Sequence, residues 1–280
     1  MAGQLESQRR RSRWWIIPLV LVLALAAAVV WIFRFRIARV FEAAPTAPPT
    51  LAVPSAGEGE VAVLYETGFD ADAEADWELF SDGIISAGIE DGRLAVGVNS
   101  LVDAGGYSGL NYTFGDFVLE VDATKVAGPD NNAMFVVFRL TDVQNYNRFD
   151  ISSDGYYSLS KVRDGIQTTV SDWMPAPAIL TGDETNRIRV EARGDTFRFA
   201  VNGEALPLCI SYEEGVRPIP MDGECNGGEM VDEWVDASQP QGKIGLGVQG
   251  YTGFDGEQTT PAEAAAAFDD LVIAALEAAD

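Results

Sequence analysis

From Val61 to the C-terminus, apolar residues recur at every second position in short runs separated by turn dipeptides. A period of two dictates extended strands with one buried face, because successive side chains of a strand point to opposite sides. In FVLEVDAT, Phe117, Leu119 and Val121 share one face while Glu120, Asp122 and Thr124 take the other. RIRVEAR sets Ile188, Val190 and Ala192 against Arg187, Arg189 and Glu191. TFRFAV directs Phe197, Phe199 and Val201 inward, and KIGLGVQGY does the same with Ile244, Leu246 and Val248. Asp91-Gly92, Asp154-Gly155, Asp164-Gly165, Gly194-Asp195 and Asn202-Gly203 supply residues that tolerate the left-handed backbone of tight hairpins. The run AEAAAA at 262–267 has helix propensity, yet it leads straight into FDDLVI and is read as part of a strand. The expected fold is all-β, a sandwich or jelly roll of antiparallel sheets.

The region before Val61 is of another kind. Trp14 to Phe33 reads WWIIPLVLVLALAAAVVWIF, twenty residues without a charge, and a helix of that length spans roughly 30 Å, the thickness of a hydrocarbon core. Trp14, Trp15 and Trp31 lie at its ends, where aromatic rings favour the interface. A cleaved signal peptide would be shorter and end in small residues; here RFRIAR follows at once, so an uncleaved signal anchor is expected. Four Arg precede the run and three follow it, which places residues 1–13 in the cytoplasm. Residues 34–60 hold a Pro-rich linker. The β domain, 61–280, is then expected outside a cell membrane that the chain crosses once.

Charge supports that division. The chain carries 19 basic and 43 acidic residues, a net of −24, but residues 1–50 hold seven Arg and only two acids. The remainder is therefore strongly acidic and repels phosphate backbones, which excludes nucleic acid as a partner. There is no His anywhere, so Ser-His and Cys-His nucleophile pairs and imidazole metal ligands are excluded as well. Cys209 and Cys225 are the only cysteines; a disulfide between them suits an oxidising exterior, two unpaired thiols a reducing compartment.

The order of segments carries more. ETGFDADAEADWELF opens the domain, NNAMFVVFRLTDVQNYNRFDISSDGYYSLSKVRDG and NRIRVEARGDTFRFAVNGE come next, and GKIGLGVQGY and FDDLVI close it. This order resembles the concanavalin A-like lectin/glucanase superfamily, in the branch of laminin-G-like and 3-keto-disaccharide hydrolase-type domains. The resemblance implies a jelly-roll sandwich of two antiparallel sheets, a last strand beside the first, and a concave face that meets glycans. The segment from Pro207 to Gln241 departs from the pattern and reads as an insertion.

Candidate chemistry is sparse. Glycosidases of such folds need two carboxylates flanking one bond, in the family 16 pattern E-x-D-x-x-E. Glu120 and Asp122 occupy the first two positions, but Lys125 stands where the general acid belongs, so the strand reads as a solvated face and no catalytic residue is named. Asp70, Asp72, Glu74 and Asp76 in the opening run, and Asp269 with Asp270 in the closing one, are oxygen donors that paired terminal strands would bring together. A Ca²⁺ site built on Asp70, Asp72 and Asp269 and a plain acidic loop are both compatible with that run. Tyr146, Arg148 and Asp150 share the outward face of NYNRFDIS, with Tyr156 and Trp173 on neighbouring segments. Such a set offers ring planes to a sugar and charged partners to its hydroxyls, or it stabilises the sheet through cross-strand pairs. Arg193-Gly194-Asp195 falls at a hairpin, and Asn111-Tyr112-Thr113 is a glycosylation sequon. The functions left are a membrane-displayed module binding glycan or a protein partner, a hydrolase of the 3-keto-disaccharide type, or an accessory subunit of a membrane complex.

Overall fold

The computed structural model describes residues 62–213, 216–221, 224–254 and 259–276. The basic N-terminus, the apolar run 14–33 and the Pro-rich linker lie outside these residues. Among the described residues no helix is long and apolar enough to cross a membrane.

Nearly every element is a strand. The larger sheet contains β1 (Val63–Thr67), β2 (Phe80–Ser81), β3 (Ile85–Glu90), β4 (Arg93–Ser100), β6 (Phe117–Ala127), β11 (Asn186–Arg193), β12 (Thr196–Val201), β13 (Glu204–Ala205), β18 (Trp234–Val235) and β22 (Ala262–Ala274). Its main order is β13-β12-β11-β6-β22-β4-β3-β2, with β1 paired to β22. The smaller sheet takes β5 (Ala104–Gly109), β7 (Ala133–Asp142), β8 (Asn145–Ser152), β9 (Tyr156–Arg163), β10 (Ile166–Pro175) and β19 (Lys243–Gly250), in the order β10-β9-β8-β7-β19-β5. Both sheets are antiparallel throughout, and the last strand pairs beside the first.

The inward residues are those that the period of two selects. Along β6 burial alternates from Phe117 through Leu119, Val121 and Ala123, and β11 and β12 alternate in register with it. Phe149 of the smaller sheet stacks on Phe199 of the larger at 4.5 Å between ring centroids, and Phe138 packs against both Phe197 and Phe199. The alanine-rich start of β22 is a strand because Ala262, Ala264 and Ala266 are buried between paired neighbours, and that burial outweighs an intrinsic helix preference of a few tenths of a kcal/mol per residue.

Two features do not follow from the alternation. The run ADAEA, Ala71–Ala75, forms a single 3₁₀ turn rather than a strand. At Arg139 a bulge in β7 and a left-handed φ of 53° direct a charged side chain into the core, where it is fully buried. Its guanidinium donates to the carbonyls of Phe114, Gly115 and Gly194 and lies over the rings of Phe117 and Phe197. Three carbonyl acceptors and two ring faces offset the cost of burying that charge.

The insertion forms its own small sheets, β14 (Leu208–Ser211) with β17 (Gly228–Val231) and β15 (Ile219–Met221) with β16 (Glu224–Asn226). Cys209 and Cys225 are disulfide-bonded across them. A last two-stranded hairpin joins β20 (Gly253–Phe254) and β21 (Thr259–Thr260).

Candidate functional site

On the outer face of the smaller sheet, strand register sets side chains in rows. One row runs Ser158, Asp150, Phe135, Gly247, Tyr107 across β9, β8, β7, β19 and β5. The next runs Ser160, Arg148, Val137, Gly245, Gly109. The glycines of β19 make this face usable by rings. A Cβ on Gly247 would lie 2.6 Å from the Phe135 ring, and one on Gly245 would lie 2.9 Å from Tyr107, so both rings lie across a strand that has no side chain there.

Arg148 and Asp150 are two residues apart on β8 and therefore share this face. The Arg148 guanidinium stacks 3.8 Å above the Phe135 ring, its Nε donates to Asp150 Oδ1 at 2.7 Å, and its Nη1 reaches Gln249 Oε1 at 3.3 Å. Ser158 Oγ donates to Asp150 Oδ2 at 3.5 Å. Burial pushes the Asp150 carboxyl above the usual carboxylate range, against the opposing pull of Arg148 and Ser158. Around the pair stand half-buried tyrosines. Tyr146 meets Tyr107 edge-on at 5.8 Å, and Tyr251 is coupled electrostatically to both Asp150 and Arg148. Burial raises the pKa of each of these three hydroxyls, so all are neutral donors near neutral pH. Tyr107 Oη is buried without a hydrogen-bond partner among the described residues.

The sequence-derived set is therefore partly gathered. Tyr146, Arg148 and Asp150 adjoin one another, and Tyr156, 40% exposed, lies on the same face at the start of β9. Trp173 sits on β10 in a bulge that sets Asp172 and Trp173 opposite Ser158, at the far end of the first row. Phe135, Tyr107, Ser158, Gln249 and Tyr251 were not singled out from the sequence. The first four were legible as the outward positions of alternating strands; Tyr251 comes after the end of β19, where alternation gives no signal.

The other candidates fall elsewhere. Glu120 and Asp122 lie on the outer face of the larger sheet in ion pairs with Arg187 and Arg189. Burial raises the Glu120 carboxyl, but hydrogen bonds and charge from Arg189 and Arg187 carry it net below its usual range. A carboxylate held ionised by two guanidinium groups is unsuited to donating a proton. Lys125, at the position of the missing acid, pairs with Asp130 and Asp183. Asp70, Asp72, Asp76 and Asp270 do converge, lining one cleft of about 660 Å³ with Tyr65, Thr67 and Arg187. However, Asp76 accepts hydrogen bonds from Tyr65 and Tyr112, and Asp269 turns to the backbone N–H of Asp270 at a bulge. Among the described residues no group of three or more acidic or cysteine side chains is placed to hold one metal ion. Gly194 of the Arg-Gly-Asp triplet has a φ of 58° and serves its hairpin, donating to Asp116 and accepting from Arg139.

No protein-family model matches the chain, and no curated protein matches it. Among solved structures, the carbohydrate binding module CBM66 from Bacillus subtilis is 17% identical over 71% of this chain and 96% of its own, with a TM-score of 0.46. A protein of unknown function with a galectin-like fold, also from Bacillus subtilis, is 16% identical over 76% and 95%, with a TM-score of 0.46. A putative glycosyl hydrolase from Parabacteroides distasonis is 17% identical over 75% and 98%, with a TM-score of 0.41. The two-sheet architecture follows from the strand order itself.

Proposed function

We propose that the chain is a glycan-binding module, displayed outside a membrane by the apolar run 14–33 and the Pro-rich segment after it. The observation that carries this reading is the tyrosine-edged Arg148–Asp150 pair on the outer face of the smaller sheet. Sugar rings bring C–H faces that stack on aromatic planes and hydroxyls that need fixed donors and acceptors. Because the pair neutralises itself, the face suits an uncharged polyhydroxylated ligand better than an ionic one. Glu120 and Asp122, held in ion pairs on the other sheet, are not free to act as acid and nucleophile, which weighs against the hydrolase reading.

The test is a glycan array with the full chain in a detergent that carries no sugar head group. Tyr146→Ala, Tyr107→Ala and Trp173→Ala are compared with wild type. Loss of a glycan signal in the Tyr146 and Tyr107 variants, with retained thermal stability, supports the reading. A signal unchanged in all three, or no glycan bound by wild type, removes it.

A further inference from the structure

The strand β10 ends the smaller sheet and β13 ends the larger, and the disulfide-bonded insertion meets the molecule beside both. Between them lies a pocket of about 410 Å³ that shares no residue with the rows on the outer face of the smaller sheet, so its occupancy is independent of the glycan reading. Tyr157 and Met174, both in the main core, contribute to its lining, along with Leu206, Met221 and Met230. Four of the remaining lining residues are Pro175, Pro177, Pro207 and Pro220, which have no backbone N–H to offer a ligand. The one hydroxyl that the described residues bring to the lining, that of Tyr157, already donates to the Pro207 carbonyl. The interior is thus poor in free donors, and three of the chain's five methionines line it, side chains that adapt to irregular apolar shapes. Among the described residues the only charged ones in the lining are Glu204 and Glu224. Both are exposed, and neither is in an ion pair among the described residues.

An apolar pocket of this size with two uncompensated carboxylates, in a strongly acidic domain, complements one kind of ligand. We propose that it binds an amphipathic amine: an apolar body of drug-like size, buried among Met174, Met221, Met230 and the prolines, with a cationic head at Glu204 and Glu224. Pockets of a few hundred cubic ångströms with few polar groups are the usual form of small-molecule sites.

Three probes with one apolar body separate the contributions: phenylbutylamine, phenylbutanol and phenylbutyrate. Each is titrated into the full chain in nonionic detergent, with the methionine methyl groups labelled for NMR. The Met174, Met221 and Met230 signals are expected to shift saturably while Met134, buried elsewhere in the core, stays fixed. The amine should bind about tenfold more tightly than the carboxylate, since attraction to the rim carboxylates is replaced by repulsion of similar size. Glu204→Gln with Glu224→Gln should abolish that preference and leave binding of the alcohol unchanged. Three results would each overturn the proposal: no saturable shift of the three methyls, a carboxylate that binds as tightly as the amine, or a preference that survives both substitutions.

Discussion

Breaking the Arg148–Asp150 pair from either side should give two different pH profiles, and the difference follows from which charge is left behind. Arg148 is 7% exposed and Asp150 2% exposed, so each is a buried ion whose desolvation is offset mainly by the other. Asp150→Ala leaves a guanidinium over Phe135 with neutral neighbours alone, the long contact to Gln249 and the Tyr251 hydroxyl. Stranding a buried charge in this way costs about 3–5 kcal/mol; the guanidinium does not deprotonate in the accessible range, and because the raised wild-type Asp150 itself loses stability as pH rises, the deficit should not grow toward pH 7. Arg148→Met leaves the carboxyl with Ser158 alone, but this group can escape by taking up a proton. Burial already raises its pKa, and loss of Arg148 removes the main opposing influence. A carboxyl raised in the folded state contributes stability that is fully present below the unfolded value of about 3.9 and is lost as pH rises through the folded value. The Arg148→Met deficit should therefore be small at about pH 4 and grow toward pH 7. The double variant buries no charge and should cost less than either single change at neutral pH. Urea unfolding of the full chain, followed by tryptophan fluorescence at both pH values, measures all three. Additive costs in the double variant, or parallel pH profiles for the two single ones, would refute the reasoning.

Two further outcomes are expected. Reduction of Cys209–Cys225, which are 16 residues apart, removes a constraint worth about 3 kcal/mol by chain entropy; limited proteolysis should then cut within 210–224 while the sandwich stays folded, and an unchanged digestion pattern would contradict this. Tyr65 has a pKa pushed up to about 12, chiefly by burial, with Asp76 raising it further and a hydrogen bond from Trp77 opposing. Its contribution is full below about pH 10 and declines as pH rises through about 12, so alkaline unfolding of wild type should be steeper above pH 10 than that of Tyr65→Phe, and equal slopes would count against it.

Most of the sandwich was legible because burial on one face of a strand writes itself into the chain at every second residue. The faces of β6, β11, β12 and β19 follow directly, as do the hairpins at Asp91-Gly92, Asp164-Gly165 and Asn202-Gly203, where both residues adopt positive φ. Alternation also placed Tyr146, Arg148 and Asp150 on one side of β8. It could not say that Phe135 would lie under the guanidinium or that Gly247 would leave room for the ring, because those contacts depend on sheet register, and the second joins residues about a hundred positions apart.

The sequence by itself determined the all-β class, the buried faces, the pairing of the terminal strands implied by the family resemblance, and a cysteine pair able to staple the insertion. Only the tertiary structure decided where charge goes. Arg139 reads as one more position in FRLTD, and a bulge turns it into the core; Glu120 and Asp122 read as a carboxylate pair, and Arg187 and Arg189 from the adjacent strand neutralise them. The acidic runs around Asp70 and Asp269 meet in space, yet hydrogen bonds to tyrosines and backbone take up Asp76 and Asp269. Periodicity is a local property that hydrophobic burial imposes residue by residue, whereas the state of a charged group is set by whichever distant residues the sheet register brings within a few ångströms.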